Sequence, residues 1–211
     1  MIVYKIPTGL LSENVYFVVK DNKDTLIFDP GAQPEDLLAF IQEHDLNPVA
    51  IALTHAHYDH IGALDEVRNV YPVPVYMHHI EKDFLSNPVL NLSSRHEPLS
   101  VREADVLFKE MGEVSIEGFD CRIEHVPGHS PGSTVYLFEK DGFAIVGDTL
   151  FKGGCGRTDL PSSSSHAELM EGINKHLMTL PDNTVILSGH GDQTTIQQER
   201  ATNPYLNGVT R

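Results

Sequence analysis

Apolar positions alternate with polar ones, or run on without a break, through the N-terminal part of the chain. Ile2–Ile6, Asn14–Lys20 and Thr25–Phe28 are rich in β-branched residues and predict strands. Asp29-Pro30-Gly31 is a strong stop and turn. The period then changes. Leu37, Leu38 and Ile41 fall at helical spacing and predict a helix over Glu35–His44. Val49–Leu53 is a short apolar run and reads as a buried strand. It ends at Thr54, just before a cluster of histidines. A helix is expected from near Gly62 to about Val70.

The second half repeats this logic without repeating the sequence. Val73–Met77, Asp120–Val126, Thr134–Glu139 and Phe143–Val146 predict strands. Glu168–Thr179 predicts a helix, Val185–Leu187 a buried strand and Thr195–Ala201 a short helix. Strands with helices in both halves suggest two β-sheets covered by helices on the outside. A chain of 211 residues suits one domain with a sizeable core. The run Ser162–Ser165 is the only biased stretch, and its length makes a loop.

Composition narrows the function classes. Hydrophobic residues make up 40% and charged residues 21%, as in an ordinary globular chain. The formal charge of -15 disfavours a nucleic-acid backbone or an anionic membrane as partner, since both call for clustered Lys and Arg. No stretch approaches the ~20 apolar residues that span a bilayer. The N-terminus lacks a basic segment followed by a long apolar run, so a cytoplasmic location is expected. Cys121 and Cys155 form no C-x-x-C pair, and a disulfide between them is unforced.

The chemistry concentrates in Thr54-His55-Ala56-His57-Tyr58-Asp59-His60. Imidazole and carboxylate are the donors that zinc and related ions prefer. The segment leaves a buried strand and enters a helix, so it turns at a strand end and can aim alternate side chains one way. Helical H-x-x-x-H spacing is absent, which sets aside that class of zinc protease. Three further segments share a local form: Gly128-His129-Ser130, Gly147-Asp148-Thr149 and Gly189-His190-Gly191. In each a candidate ligand follows a strand-like run and a glycine. Five histidines and two aspartates suffice for two ions sharing one bridge. The remaining histidines, His44, His78, His79, His96, His125, His166 and His176, read as loop or surface residues, with His78-His79 the best rival ligand pair.

At these residues the chain resembles the metallo-β-lactamase superfamily. THAHYDHIGAL matches its H-x-H-x-D-H signature, and VPGHSPGSTVY, AIVGDTLF and LSGHGDQTT match its later motifs in order. The branch it resembles most is the short glyoxalase II-like one, in which GDTLF is followed by a segment like GGCGRTDLP, then GHG and TNP. The resemblance implies a four-layer αββα sandwich, mixed α/β (α+β), as a single domain over residues 1–211, without the C-terminal helical domain that binds glutathione in glyoxalase II proper. It implies His55, His57 and His129 on one metal, Asp59, His60 and His190 on a second, and Asp148 bridging. It also implies two divalent ions, zinc foremost, with iron or manganese as alternatives. Asp29 matches an early acidic position that backs a ligand histidine; a plain turn aspartate is the other reading. Arg157 matches a basic position that contacts glutathione, although Asp159 stands where that family tends to have an aromatic.

The expected activity is hydrolysis of a thioester such as a hydroxyacylglutathione, a small-molecule substrate, by a metal-bridging hydroxide that attacks the carbonyl. A thiolate leaves with little protonation, which suits a site short of general acids. Asp59 is the candidate to orient the nucleophile or move its proton. Tyr58, between two ligands, is a candidate substrate contact or a packing residue. Cys155, without an adjacent histidine, reads as a packed loop residue rather than a nucleophile. Lactonase or β-lactamase activity is a rival within hydrolases. Persulfide dioxygenases share the fold and use one iron on His55-, His129- and Asp148-type ligands. A non-catalytic metal protein fits least, and flavodiiron domains use Glu where His57 stands.

Overall fold

A computed structural model describes residues 1–207. The chain divides into two compact units, Met1–Lys109 with Ile116–Phe119, and Glu110–Ser115 with Asp120 onward. The expected extent of 1–211 therefore includes four residues outside the described ones.

The first unit is built on a six-stranded sheet in simple sequence order, β1 to β6. Its strands are β1 (Ile2–Thr8), β2 (Glu13–Val19), β3 (Asp24–Phe28), β4 (Asn47–Ala52), β5 (Val75–His78) and β6 (Val106–Phe108). The first three pair antiparallel. From β3 onward the pairing is parallel, because each return crosses over. Helix α1 (Pro34–Glu43) joins β3 to β4, and α2 (Tyr58–Ile61) and α3 (Leu64–Val70) lie between β4 and β5. Leu37 and Ile41 of α1 and Leu64 and Val67 of α3 share one core with Phe17, Ile27 and Ile51 of the sheet. This is the amphipathic helix face that the period of the sequence predicts. The C-terminal ends of β3, β4 and β5 lie side by side, with Phe28 opposite Ala52 and Ala52 opposite Tyr76.

The second unit carries, apart from Ile116 and Phe119 at two strand ends, a six-stranded sheet in the order β14-β13-β10-β9-β8-β7. Its strands are β7 (Gly112–Ile116), β8 (Phe119–His125), β9 (Thr134–Phe138), β10 (Phe143–Gly147), β13 (Val185–Ser188) and β14 (Thr194–Thr195). Between β10 and β13 comes a small hairpin of β11 (Leu150–Phe151) and β12 (Gly154–Cys155). β9 is antiparallel to both β8 and β10, and β10 is parallel to β13. Hence β8, β10 and β13 all point the same way. Helices α4 (His166–Gly172) and α5 (Ile196–Thr202) supply Leu169 and Ile196 to a core with Val135, Leu137, Ala144 and Ile186. Among the described residues no helix is long and apolar enough to cross a membrane.

The differences from the sequence reading have local causes. The helix expected from near Gly62 is present as α3, starting at Leu64, and a separate helical turn, Tyr58–Ile61, precedes it and is closed by Gly62. A four-residue turn is too short to show a period. The helix expected over Glu168–Thr179 is α-helical only to Gly172 and then widens to a π-turn over Ile173–Leu177. The strands β6, β7, β11, β12 and β14 are added, as is a 3₁₀ helix over His79–Phe84.

Candidate metal-binding groups

In the first unit the ligand candidates leave the end of β4, where parallel neighbours on both sides also end. Open parallel sheets place their reactive loops at this edge. Thr54, His55, His57 and His60 are buried there, and Asp59 is partly exposed. His55 packs edge-on to His57 with ring centroids 4.7 Å apart, and tilted against His60 at 4.1 Å. Asp59 Oδ2 lies 3.8 Å from His60 Nε2.

Asp29, at the end of β3, organises this group. Its Oδ1 accepts the Thr54 amide at 2.7 Å, and its Oδ2 accepts the Thr54 hydroxyl at 2.5 Å. Oδ2 also lies 3.0 Å from His60 Nδ1. Counting protons settles the tautomers. The carboxylate can only accept, so His60 carries its proton on Nδ1. Thr54 has one hydroxyl proton and gives it to Asp29. It therefore accepts from His55 Nδ1, 3.1 Å away. Both rings then present the Nε2 lone pair, the form that binds a metal. Ligand atoms of Asp29, His55 and His60 fall within 4.8 Å of one another. Asp29 holds φ at +48°, the left-handed region that few residues other than Gly and Asn/Asp enter. Asp29 thus both turns the chain and contacts Thr54 and His60.

In the second unit the three candidates come from three parallel strand ends, after β8, β10 and β13. His129 Nδ1 lies 3.0 Å from the Arg157 carbonyl, which can only accept, so this ring too presents Nε2. That Nε2 lies 3.4 Å from Asp148 Oδ2, and His190 Nε2 lies 3.5 Å from the same oxygen. Two ring nitrogens and a carboxylate oxygen meet here, donor types that a divalent cation takes. Close backbone approach makes this possible. Gly128 has φ +145°, and a Cβ there would collide with Leu169. A Cβ on Gly156 would strike the Asp148 carbonyl and His129.

Other candidates sit as follows. Tyr58 packs tilted against His96 with centroids 5.1 Å apart, and burial, then the Asp59 charge, raises its pKa, so the phenol stays protonated. The Arg157 side chain is exposed and pairs with Asp159 at 2.7 Å. Cys121 and Cys155 are free thiols, pushed up by burial to about 12 and about 11, so neither is a ready nucleophile. The rival pair does not point both rings outward: His78 Nδ1 accepts the Ile80 amide at 3.3 Å and its ring stacks on His79.

Three residues that sequence reasoning passed over also touch the ligand groups. Glu13 is buried with Oε1 3.8 Å from His60 Nδ1, and its pKa is raised well above the ordinary value, chiefly by burial. Its signal was a charged residue opening a wholly buried strand. Glu81 and Asn91 bond the loop backbone directly.

A family model described as the Metallo-beta-lactamase superfamily matches residues 8–190. The probable metallo-hydrolase YqgX of Bacillus subtilis is 44% identical over 98% of both chains. The hydroxyacylglutathione hydrolase GloC of Haemophilus influenzae is 35% identical over 96% of both. The crystal structure of BLEG-1 B3 metallo-beta-lactamase aligns with TM-score 0.95 and 41% identity, covering 98% of this chain and 100% of that one. The mixed α/β fold with two sheets is the metallo-beta-lactamase fold, and its helix-covered sheets were expected from the sequence. Matched over most of its length and carrying His/Asp groups of the kind that hold this family's dinuclear metal site, the chain belongs, as a metallo-hydrolase, to the metallo-beta-lactamase superfamily.

Proposed function

We propose that this metallo-hydrolase cleaves thioesters of the hydroxyacylglutathione class, with both residue groups serving one dinuclear centre. In this reading His55, His57 and His129 would hold one divalent ion, Asp59, His60 and His190 would hold the other, and Asp148 would serve both, with zinc the proposed metal. The observation that carries the thioester reading is the match to GloC. A hydroxyacylglutathione hydrolase aligns over 96% of its own length with this chain, which supports activity on such a thioester.

Two bound divalent ions would polarise the thioester carbonyl and make hydroxide available near neutral pH. The chain's own residues do the rest. Asp29 fixes the His55 and His60 tautomers, so neither imidazole must reorganise. Asp59 is proposed to hold the proton of the attacking water. Tyr58, kept protonated, is a hydrogen-bond donor for the substrate, and Arg157 offers a cation to a carboxylate once it leaves Asp159. The proposed setting is the cytoplasm.

The test is to measure metal content of protein purified without added metal, then assay a hydroxyacylglutathione, a cephalosporin and glutathione persulfide side by side. Two ions per chain and preferred thioester turnover support the reading. Preferred cephalosporin turnover would favour β-lactam hydrolysis, the alternative that the likeness to BLEG-1 supports. One iron with oxygen uptake on the persulfide overturns hydrolysis. Asp59→Asn should lower thioester kcat about 100-fold or more, the scale of a positioned proton acceptor. Near-normal kcat with both ions retained removes that role.

A further inference from the structure

The loop that carries His55 and His57 is held from a direction the ligand motif does not reveal. Glu81 lies in the 3₁₀ helix His79–Phe84, which leaves the end of β5. Because β5 is the parallel neighbour of β4, both chains emerge at the same sheet edge. Leu53 N–H bonds to Tyr76 O at 2.9 Å, tying the end of β4 to β5. In a 3₁₀ turn residues three apart eclipse, and Glu81 and Phe84 both point inward and are buried. Glu81 is fully buried, and its Oε2 accepts the Ala56 amide at 2.7 Å. Ala56, itself fully buried, is the residue between His55 and His57. Ten residues beyond Glu81, Asn91 O accepts the Tyr58 amide at 2.9 Å. Asn91 is in turn buried, with its side-chain amide bonded to Phe84 O and Leu99 O, each at 3.0 Å.

The backbone amides on either side of His57 are therefore both satisfied by the segment that follows β5. A side-chain oxygen 2.7 Å from a backbone amide makes a short, directional hydrogen bond. It fixes the plane of the His55–Ala56 peptide and so the directions in which the two imidazoles leave the chain.

We infer that Glu81 is a positioning residue for metal binding, aligning His55 and His57 through the Ala56 amide. This rests on the reading of His55 and His57 as ligands given above. The role belongs to the acceptor oxygen. Glu81→Gln keeps an oxygen in place, whereas Glu81→Leu fills similar space without one.

The experiment compares wild type, Glu81→Gln, Glu81→Leu and Leu37→Ala, the last a cavity control in the same core. Zinc affinity is measured by chelator competition, and exchange of the Ala56 amide proton is followed by NMR on metal-free protein. Glu81→Leu should weaken zinc binding about 10- to 100-fold, the usual effect of losing a partner of the ligand shell. Its Ala56 amide should exchange faster than in wild type. Glu81→Gln should stay within a few-fold of wild type on both. Leu37→Ala should melt lower with unchanged zinc affinity. Zinc affinity unchanged in folded Glu81→Leu overturns the inference, as does equal loss in Leu37→Ala. If Glu81→Leu does not fold, Glu81→Gln decides through its own comparison with wild type: retained affinity and slow exchange uphold the acceptor role, and loss of both overturns it. Wild type that binds zinc but hydrolyses no thioester sinks the proposed substrate and leaves Glu81 standing. Wild type that binds no metal overturns both.

Discussion

The two ligand groups solve one problem by different means. In the first unit four candidates crowd into a single loop and helical turn, His55 to His60, and side chains from elsewhere brace them: Asp29, Glu13 and Glu81. In the second unit three candidates come one each from three strand ends, and backbone braces them: the Arg157 carbonyl on His129, and glycines that let chains touch. A loop holding several ligands has many ways to be wrong, so it needs many outside contacts. Ligands at the ends of paired strands inherit their spacing from the sheet. The first group should therefore answer to changes of side-chain chemistry and the second to changes of backbone freedom.

The largest effect is expected at Gly128. Gly128→Ala adds a Cβ at φ +145° and drives it into Leu169, so it should cost about 3 kcal/mol or more from backbone strain and overpacking together. A denaturant midpoint measures this. A loss below 1 kcal/mol, on the order of a surface change, would break the claim that the second group depends on backbone approach.

Asp29→Ala comes next. It strands the Thr54 amide and hydroxyl and the His60 Nδ1 proton, at about 2–3 kcal/mol given partial relaxation. Zinc affinity should fall about 10- to 100-fold. If stability falls while affinity holds, Asp29 is a turn residue and the contrast between the groups weakens.

Glu13 gives a pH-dependent version of the same test, in metal-free protein. Its folded pKa is raised, chiefly by burial. The folded state keeps the proton while the unfolded chain loses it above the ordinary carboxyl value of 4.5. Stability from this group is then fully present below 4.5 and declines as pH rises toward the folded pKa, by at most about 1.4 kcal/mol per unit. Glu13→Gln cannot ionise and should lack that decline. Parallel stability-against-pH curves for the two proteins would show that Glu13 is not held neutral.

The smallest effect belongs to a side-chain brace in the backbone-braced unit. Ser163 Oγ donates to His129 O at 2.8 Å. Ser163→Ala should cost about 1 kcal/mol and move zinc affinity less than threefold, since the sheet still places His129. A large loss of affinity would make the two units alike.

Much of this was legible in the sequence, and the reason is chemical density. His55 to His60 packs four donor side chains into six positions, which few structural needs explain. His129, Asp148 and His190 were legible because a strand, a glycine and a donor recur three times. Glu81 was not legible: it sits in a polar stretch, His78 to Asp83, where one more carboxylate attracts no notice, and only the parallel pairing of β4 with β5 brings it to Ala56. Glu13 lay one residue outside the expected strand, which the alternation started at Asn14. β11, β12 and β14 have two residues each, and no period can be read from two.

The parallel crossovers around the ligand loop also set an order of events in time. The bonds from Thr54 to Asp29 and from Ala56 to Glu81 each join residues 25 positions apart, one reaching back and one forward. Closing a loop of that length costs about 3 kcal/mol in chain entropy before any contact repays it. Non-local closures of this kind come late in folding. The loop reaches its metal-binding shape only once β3, β4 and β5 are in register, so an ion has no preformed group of this kind to seize in the unfolded chain. The protein on this account folds first and is loaded afterwards, the reverse of small domains that a metal must assemble. A chelator should then empty the centre and leave the sheets standing, and the empty protein should accept a new ion without refolding.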